Sequence, residues 1–183
     1  MRRFIWATSY IAGGIAAGCF SAFVMIQQAG VKPVAAGTPW LSRAAAMAES
    51  NAYYVRSHYL LEGRLPPAPG QLSEATADTD SEGHPLTGNC SYKITSTAPL
   101  PRWWSIAIIA GSSANAELQA TADSDTIVRD ADGVVRITAA QDPAPGNWLK
   151  TPDRRSFTML YSSLASGPKP GLPPFTITQA GCL

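Results

Sequence analysis

The sequence predicts a mainly β domain, a β-sandwich or jelly roll, preceded by one transmembrane helix and one packing helix. Three observations carry this. Residues 4–26 are 23 positions without a charged side chain, directly after Arg2 and Arg3. Fifteen Gly and fifteen Pro in 183 residues supply turns throughout. From Glu74 onward, short apolar runs alternate with polar residues and are punctuated by turn formers, as short strands require.

The apolar run comes first. At 1.5 Å per residue, a helix of this length exceeds a bilayer core of about 30 Å. Arg2 and Arg3 resist translocation, so the N-terminus is expected in the cytoplasm and everything after about Gly30 outside it. A cleaved signal peptide is the alternative, with Val34-Ala35-Ala36 as its cleavage site. The run continues through Phe20, Phe23, Val24 and Ile26, longer than a signal core needs, and favours an uncleaved anchor. The expected partner of residues 4–26 is therefore lipid. Gly14 and Gly18, four apart, add a surface through which two such helices can approach and dimerise.

Charge is balanced, 14 Lys plus Arg against 13 Asp plus Glu, so neither a nucleic-acid footprint nor an acidic tail is expected. Cys19 falls in the apolar run. Cys90 and Cys182 lie in the extracytoplasmic part, where disulfides persist, and two cysteines allow one intramolecular pairing.

Residues 1–30 read as the cytoplasmic end and membrane helix, 31–41 as a stalk broken by Pro33, Gly37 and Pro39, and 42–183 as one folded domain. A helix is predicted from about Ser42 to Leu61, favoured by its alanines and ended by Gly63 and Pro66. Val55, Tyr59 and Leu60 form its apolar stripe, begun by Tyr53 and Tyr54, and pack on the domain rather than on lipid. Strands follow at Glu74–Asp78, Cys90–Ser96, Trp103–Ile109, Thr126–Arg129, Val134–Ala139, Ser156–Leu164 and Phe175–Gln179. Asp80 to Gly83 and Asp130 to Gly133 read as turns, the second as a hairpin. Residues 110–121 read as a loop or poor edge strand, and the four prolines in 167–174 exclude regular sheet.

Chemistry-bearing motifs are sparse. Asp78-Thr79-Asp80-Ser81-Glu82-Gly83 resembles the start of a calcium loop, but Asn89 stands where the bidentate Glu is required, and paired acids before Gly are ordinary turn chemistry. His58 and His84 are the two histidines, and neither has zinc-like spacing. No Gly-x-Ser-x-Gly elbow occurs. Of Trp103 and Trp104, neighbours on a strand, one faces the core and the other must be covered or exposed. Trp104 and Trp148 are the candidate ligand-surface aromatics. The rival reading makes Trp148 a structural anchor, held by Pro145, Gly146 and Asn147, whose loss costs roughly 3–5 kcal/mol.

Several pieces together resemble the family known as domain of unknown function 1214. They are Tyr53-Tyr54-Val55-Arg56 leading to Gly63-Arg64-Leu65-Pro66, the run from Asp80 to Tyr92, Pro101-Arg102-Trp103-Trp104-Ser105, Asp132-Gly133, Pro145-Gly146-Asn147-Trp148-Leu149, Leu160-Tyr161, Pro173 and Cys182. Order and spacing agree over roughly residues 50–183. The chain departs where the family usually has Pro (Lys150), an Arg in the late strand (Thr158 to Tyr161) and an aromatic in the first strand (Glu74 to Ala77). The resemblance implies a jelly-roll-like sandwich and a single-pass protein of a bacterial inner membrane, with its C-terminal domain periplasmic. It implies no activity, so no catalytic, cofactor or metal residue is carried over. The expected function is a membrane-anchored binding or interaction module of the cell envelope. A small envelope hydrolase, acting on carbohydrate, is the alternative, and paired carboxylates in a cleft would favour it.

Overall fold

The computed structural model describes all residues except 1, 44–46, 48–51, 67–69, 98, 112–114, 165–172 and 183, with residues 2–5 as backbone only. Helix α1 (Arg2–Gln28) leads the chain and is long and apolar enough over Trp6–Gln28 to cross a membrane or to serve as a signal sequence. The short strands β1 (Lys32–Pro33) and β2 (Leu41–Ser42) pair with each other, and α2 (Ala52–Leu61) follows. Of the helix predicted from Ser42, positions 44–46 and 48–51 lie outside the described residues.

Gly63 ends α2 for the expected reason. At φ 65° it lets Arg64 N–H reach the Tyr59 carbonyl (2.9 Å) while its own N–H bonds Leu60 (3.1 Å). These are the two bonds of a Schellman cap, and they satisfy carbonyls that the helix end leaves open.

Eight further strands follow: β3 (Leu72–Ala77), β4 (Cys90–Ser96), β5 (Trp104–Ala110), β6 (Glu117–Asp123), β7 (Arg136–Ala140), β8 (Asn147–Lys150), β9 (Phe157–Leu164) and β10 (Phe175–Cys182). They form two facing sheets, ordered β1-β2-β3-β9-β5-β6 and β10-β4-β7-β8. The chain passes repeatedly from one sheet to the other, and the result is the mainly β, jelly-roll-like sandwich. Strict alternation builds the core. Trp104, Ile106, Ile108 and Ala110 on β5, Phe157, Met159 and Tyr161 on β9, and Tyr92 and Ile94 on β4 all point between the sheets.

Cys90 and Cys182 face each other across the β4–β10 pair and are disulfide-bonded, with Cα atoms 3.9 Å apart. At Gly88, in the turn that leads into β4, the Pro152 carbonyl comes so close that an added Cβ would lie 1.6 Å from its oxygen. No residue but glycine fits there without moving backbone.

The structure corrects several sequence expectations. Residues 31–41 are more than a stalk. Leu41 pairs with Thr76 of β3, and Trp40 is fully buried between the sheets. Its Nε1–H donates to the Phe175 carbonyl (2.8 Å) and its ring meets Tyr161 edge-on at 6.0 Å. Residues 126–129 form no strand, because a side chain takes the place of a neighbouring strand. The Asn147 amide accepts from Val128 N–H (2.8 Å) and donates to the Val128 carbonyl (2.7 Å). The Asp130–Gly133 turn does form, with Gly133 N–H bonding Asp130 at 2.9 Å. Part of the 110–121 segment is an edge strand, β6, with 112–114 outside the described residues. Residues 147–150, outside the predicted strands, form β8, parallel to β7. Of the proline-rich 167–174 segment, 167–172 lie outside the described residues.

Candidate functional site

A cleft of about 330 Å³ opens between α2 and the larger sheet, from β2 and β3 across Thr158 of β9 to Ile109 of β5. Arg43, His58, Tyr59, Glu62, Arg64 and Glu74 line it, together with Gln27 at the end of α1. Local structure brings these together in steps. The α2 helix sets His58 and Glu62 one turn apart, and His58 Nε2 lies 3.1 Å from Glu62 Oε1. The Schellman cap turns the chain back, so Arg64 reaches both Glu62 (3.2 Å) and Glu74 of β3 (2.8 Å). The Arg64 guanidinium also lies over the Tyr59 ring, 5.4 Å from its centroid. Arg43, just beyond β2, donates to the Gln27 carbonyl at 2.8 Å and so covers an open end of α1.

The electrostatics follow from burial. Desolvation lowers the His58 pKa, and the positive charge of Arg43 lowers it further against the pull of Glu62, which leaves the ring neutral near pH 7. Burial, then the Glu74 carboxylate, pushes the Tyr59 hydroxyl up to about 12. Desolvation also lowers the pKa of Arg43. Two polar atoms in the walls, His58 Nδ1 and Arg43 Nε, are buried without a hydrogen-bond partner among the described residues. A neutral His58 that donates from Nε2 to Glu62 presents a lone pair at Nδ1, while Arg43 Nε presents a donor.

Chemically this is a polar cleft with three carboxylates, Glu62, Glu74 and Asp78. Arg64 stands between Glu62 and Glu74 and bonds both, so a guanidinium holds the place between them.

The residues singled out from sequence fall elsewhere. Trp104 is fully buried, its ring 5.1 Å from Phe175 in the core, so it presents no surface to a ligand. Strand alternation gave the core to Trp104 and left Trp103 half-buried. Trp148 is half-buried on β8, its Nε1–H donating to the Ala140 carbonyl at 3.1 Å, and it does not line the cleft. On that strand it is Leu149 that faces the core. Cys90 and Cys182 border a separate shallow surface with Asn89 and Gln141. The Asp80 carboxylate is taken up inside its own turn, accepting from Glu82 N–H and His84 N–H, each at 2.9 Å. Burial alone would raise its pKa; these bonds overcome that and hold it below the usual value. An added Cβ at Gly14 or Gly18 on α1 would meet nothing within 4 Å, so that face is open.

Sequence reasoning missed the cleft. Its one local signal was the i, i+4 spacing of His58 and Glu62; Arg43, Arg64 and Glu74 join only through the cap and the sheet edge.

A profile of the family described as "Protein of unknown function (DUF1214)" matches residues 72–166, just over half of the chain. The chain belongs to the DUF1214 family. The match begins with β3 and so includes Glu74, whereas Arg43, His58, Tyr59, Glu62 and Arg64 precede it. Two solved structures share the DUF1214 chain's fold. One is the VPA0106 protein from Vibrio parahaemolyticus, with TM-score 0.57 and 15% identity, covering 91% of this chain and 43% of that one. The other is an uncharacterized protein from Burkholderia cenocepacia, with TM-score 0.50 and 17% identity, covering 64% of this chain and 31% of that one. The chain thus spans less than half the length of either. No curated protein matches the sequence.

Proposed function

We propose that the chain is a single-pass protein of a bacterial inner membrane, with its N-terminus cytoplasmic and its sandwich periplasmic, and that it works as a binding module of the cell envelope. Its length, its apolarity and the lack of any buried residue in its span suit α1 to a bilayer, and Arg2 and Arg3 favour a cytoplasmic start. The Cys90–Cys182 disulfide fits an oxidising compartment. A C-terminal alkaline phosphatase fusion is expected to be active; an inactive fusion beside an active cytoplasmic reporter at the same site would reverse the orientation.

The cleft is the ligand site in this reading. The observation that carries it is a cleft of mixed charge, in which Arg43 and Arg64 stand with Glu62, Glu74 and the buried His58. A hydroxyl-rich or amide-bearing ligand can donate to such carboxylates and accept from such guanidiniums. Calorimetric titration of the full chain with short oligosaccharides and with short peptides tests this. Binding lost in Arg43→Ala supports the cleft, whereas binding retained there moves the site elsewhere.

One observation favours the hydrolase alternative: Glu62 and Glu74 share the cleft, and glycosidases use such pairs. Turnover of chromogenic glycosides abolished by Glu62→Gln and by Glu74→Gln would establish it. Arg64 between the two carboxylates weighs toward binding.

A further inference from the structure

We infer that the outward face of α2 lies in the headgroup layer of the bilayer that α1 crosses; this rests on the reading of α1 as a membrane anchor. Outside α1, eight large apolar side chains are exposed among the described residues, and five of them fall in one short stretch: Tyr53, Tyr54, Leu60, Leu61 and Leu65. The other three, Leu118, Val128 and Leu164, are scattered over the sandwich.

An ordinary surface helix buries one apolar stripe and shows water a polar one. Helix α2 is apolar on both sides. Val55 and Tyr59 face inward and close a small cluster with Met47 and Ala29. Tyr53, Tyr54, Leu60 and Leu61, at i, i+1, i+7 and i+8, fall on the opposite side, with Tyr53 77% and Leu60 67% exposed. The expectation that Tyr53, Tyr54 and Leu60 extend the buried stripe is thus corrected.

The occupant follows from position. Ala29 is the first residue after α1, and it packs against α2, while Arg43 ties the Gln27 carbonyl to the same joint. Helix α2 therefore sits at the C-terminal end of the apolar helix, where a bilayer around α1 gives way to water. Tyrosines concentrate at that depth because the ring is apolar and the hydroxyl is wet, and leucines beside them reach the acyl boundary. Arg56, exposed on the same helix, can meet lipid phosphate. The membrane surface continues directly from the helix that enters it, which a separate partner protein would not explain.

Spin-label depth measurements on the full chain in phospholipid nanodiscs test this. Cys19→Ser removes the free thiol, and the Cys90–Cys182 disulfide takes no label. Labels enter singly through Tyr53→Cys, Leu60→Cys and Leu61→Cys, with Ile15→Cys in α1 and Leu118→Cys on β6 as references. All five sites are exposed, so the labels leave the core intact. The ratio of oxygen to aqueous-nickel accessibility at 53, 60 and 61 is expected to shift away from the Leu118 value toward the Ile15 value. Labels that match Leu118 while Ile15 reads as lipid would overturn the inference and leave the anchor standing. Spin–spin broadening between copies at 60 and 61 would give the face to a second chain and also overturn it. A water-like Ile15 would remove the anchor reading and this inference together.

Discussion

The interior of the sandwich and the joint between the helices and the sheet edge are held together differently. Between the sheets, Trp40, Trp104, Tyr92, Tyr161 and Phe175 interlock with isoleucines from both sides, in one continuous apolar cluster closed by a disulfide. At the joint, the buried apolar cluster among the described residues is Ala29, Met47, Val55 and Tyr59. The rest is Arg43, His58, Glu62, Arg64 and Glu74 around a cleft. Apolar burial is non-directional and insensitive to pH, so the sandwich is a rigid platform. A partly solvated charge network contributes little net stability and responds to protons, salt and ligands. Function is more readily placed in the second region than in the first.

The comparison breaks first at the disulfide. Its sequence separation is 92 residues. In the chain-entropy model, removing a loop of that size costs roughly 4–5 kcal/mol. A Cys90→Ser, Cys182→Ser chain should show a large fall in urea midpoint; an unchanged midpoint would mean that sheet packing alone holds β10 on β4.

Trp40→Ala comes next, at about 3–5 kcal/mol, from the lost indole and the cavity left between the sheets. Thermal unfolding of the full chain checks it. A variant that melts like wild type would return residues 31–41 to the status of a free stalk.

Trp148→Ala should cost less than the sequence alone suggests. The ring is half-buried and makes one indole hydrogen bond, so about 1–2 kcal/mol is expected. A loss as large as that of Trp40→Ala would place Trp148 among the sandwich anchors after all.

The smallest effect sharpens the view of the joint. His58 has a folded pKa below its unfolded value of 6.5, because its charged form is desolvated. Between those two values the unfolded chain binds a proton that the folded chain does not. Stability is therefore highest above pH 6.5 and falls as pH drops toward the folded pKa. Denaturation midpoints measured between pH 7.5 and 5.5 should fall for wild type and fall less for His58→Gln. Equal slopes would remove His58 from the acid response.

The two regions also differ in how readily the sequence disclosed them. Strand β4 has the bounds that alternation predicts, Cys90–Ser96, and β3, β5, β7 and β9 lie within one or two residues of prediction. The miss at 126–129 has a specific cause: apolar β-branched residues look like a strand whether their backbone partner is a strand or the Asn147 side chain. The two-residue strands β1 and β2 are too short to show any period. The cleft was nearly invisible, because α2 and its cap supply only His58, Tyr59, Glu62 and Arg64, while Arg43 and Glu74 come from distant stretches.

By itself the sequence determined what depends on local spacing: an apolar helix with the length to span a bilayer, the glycine-capped end of α2, alternating strands, and a single possible pairing for Cys90 and Cys182. Tertiary structure decided what depends on which elements meet. It put Trp104 rather than Trp103 in the core, carried Trp40 from an apparent linker to a place between the sheets, and gathered Arg43, Arg64 and Glu74 around His58. Periodicity records which face of an element is apolar. It carries no record of the distant side chain that the face will meet.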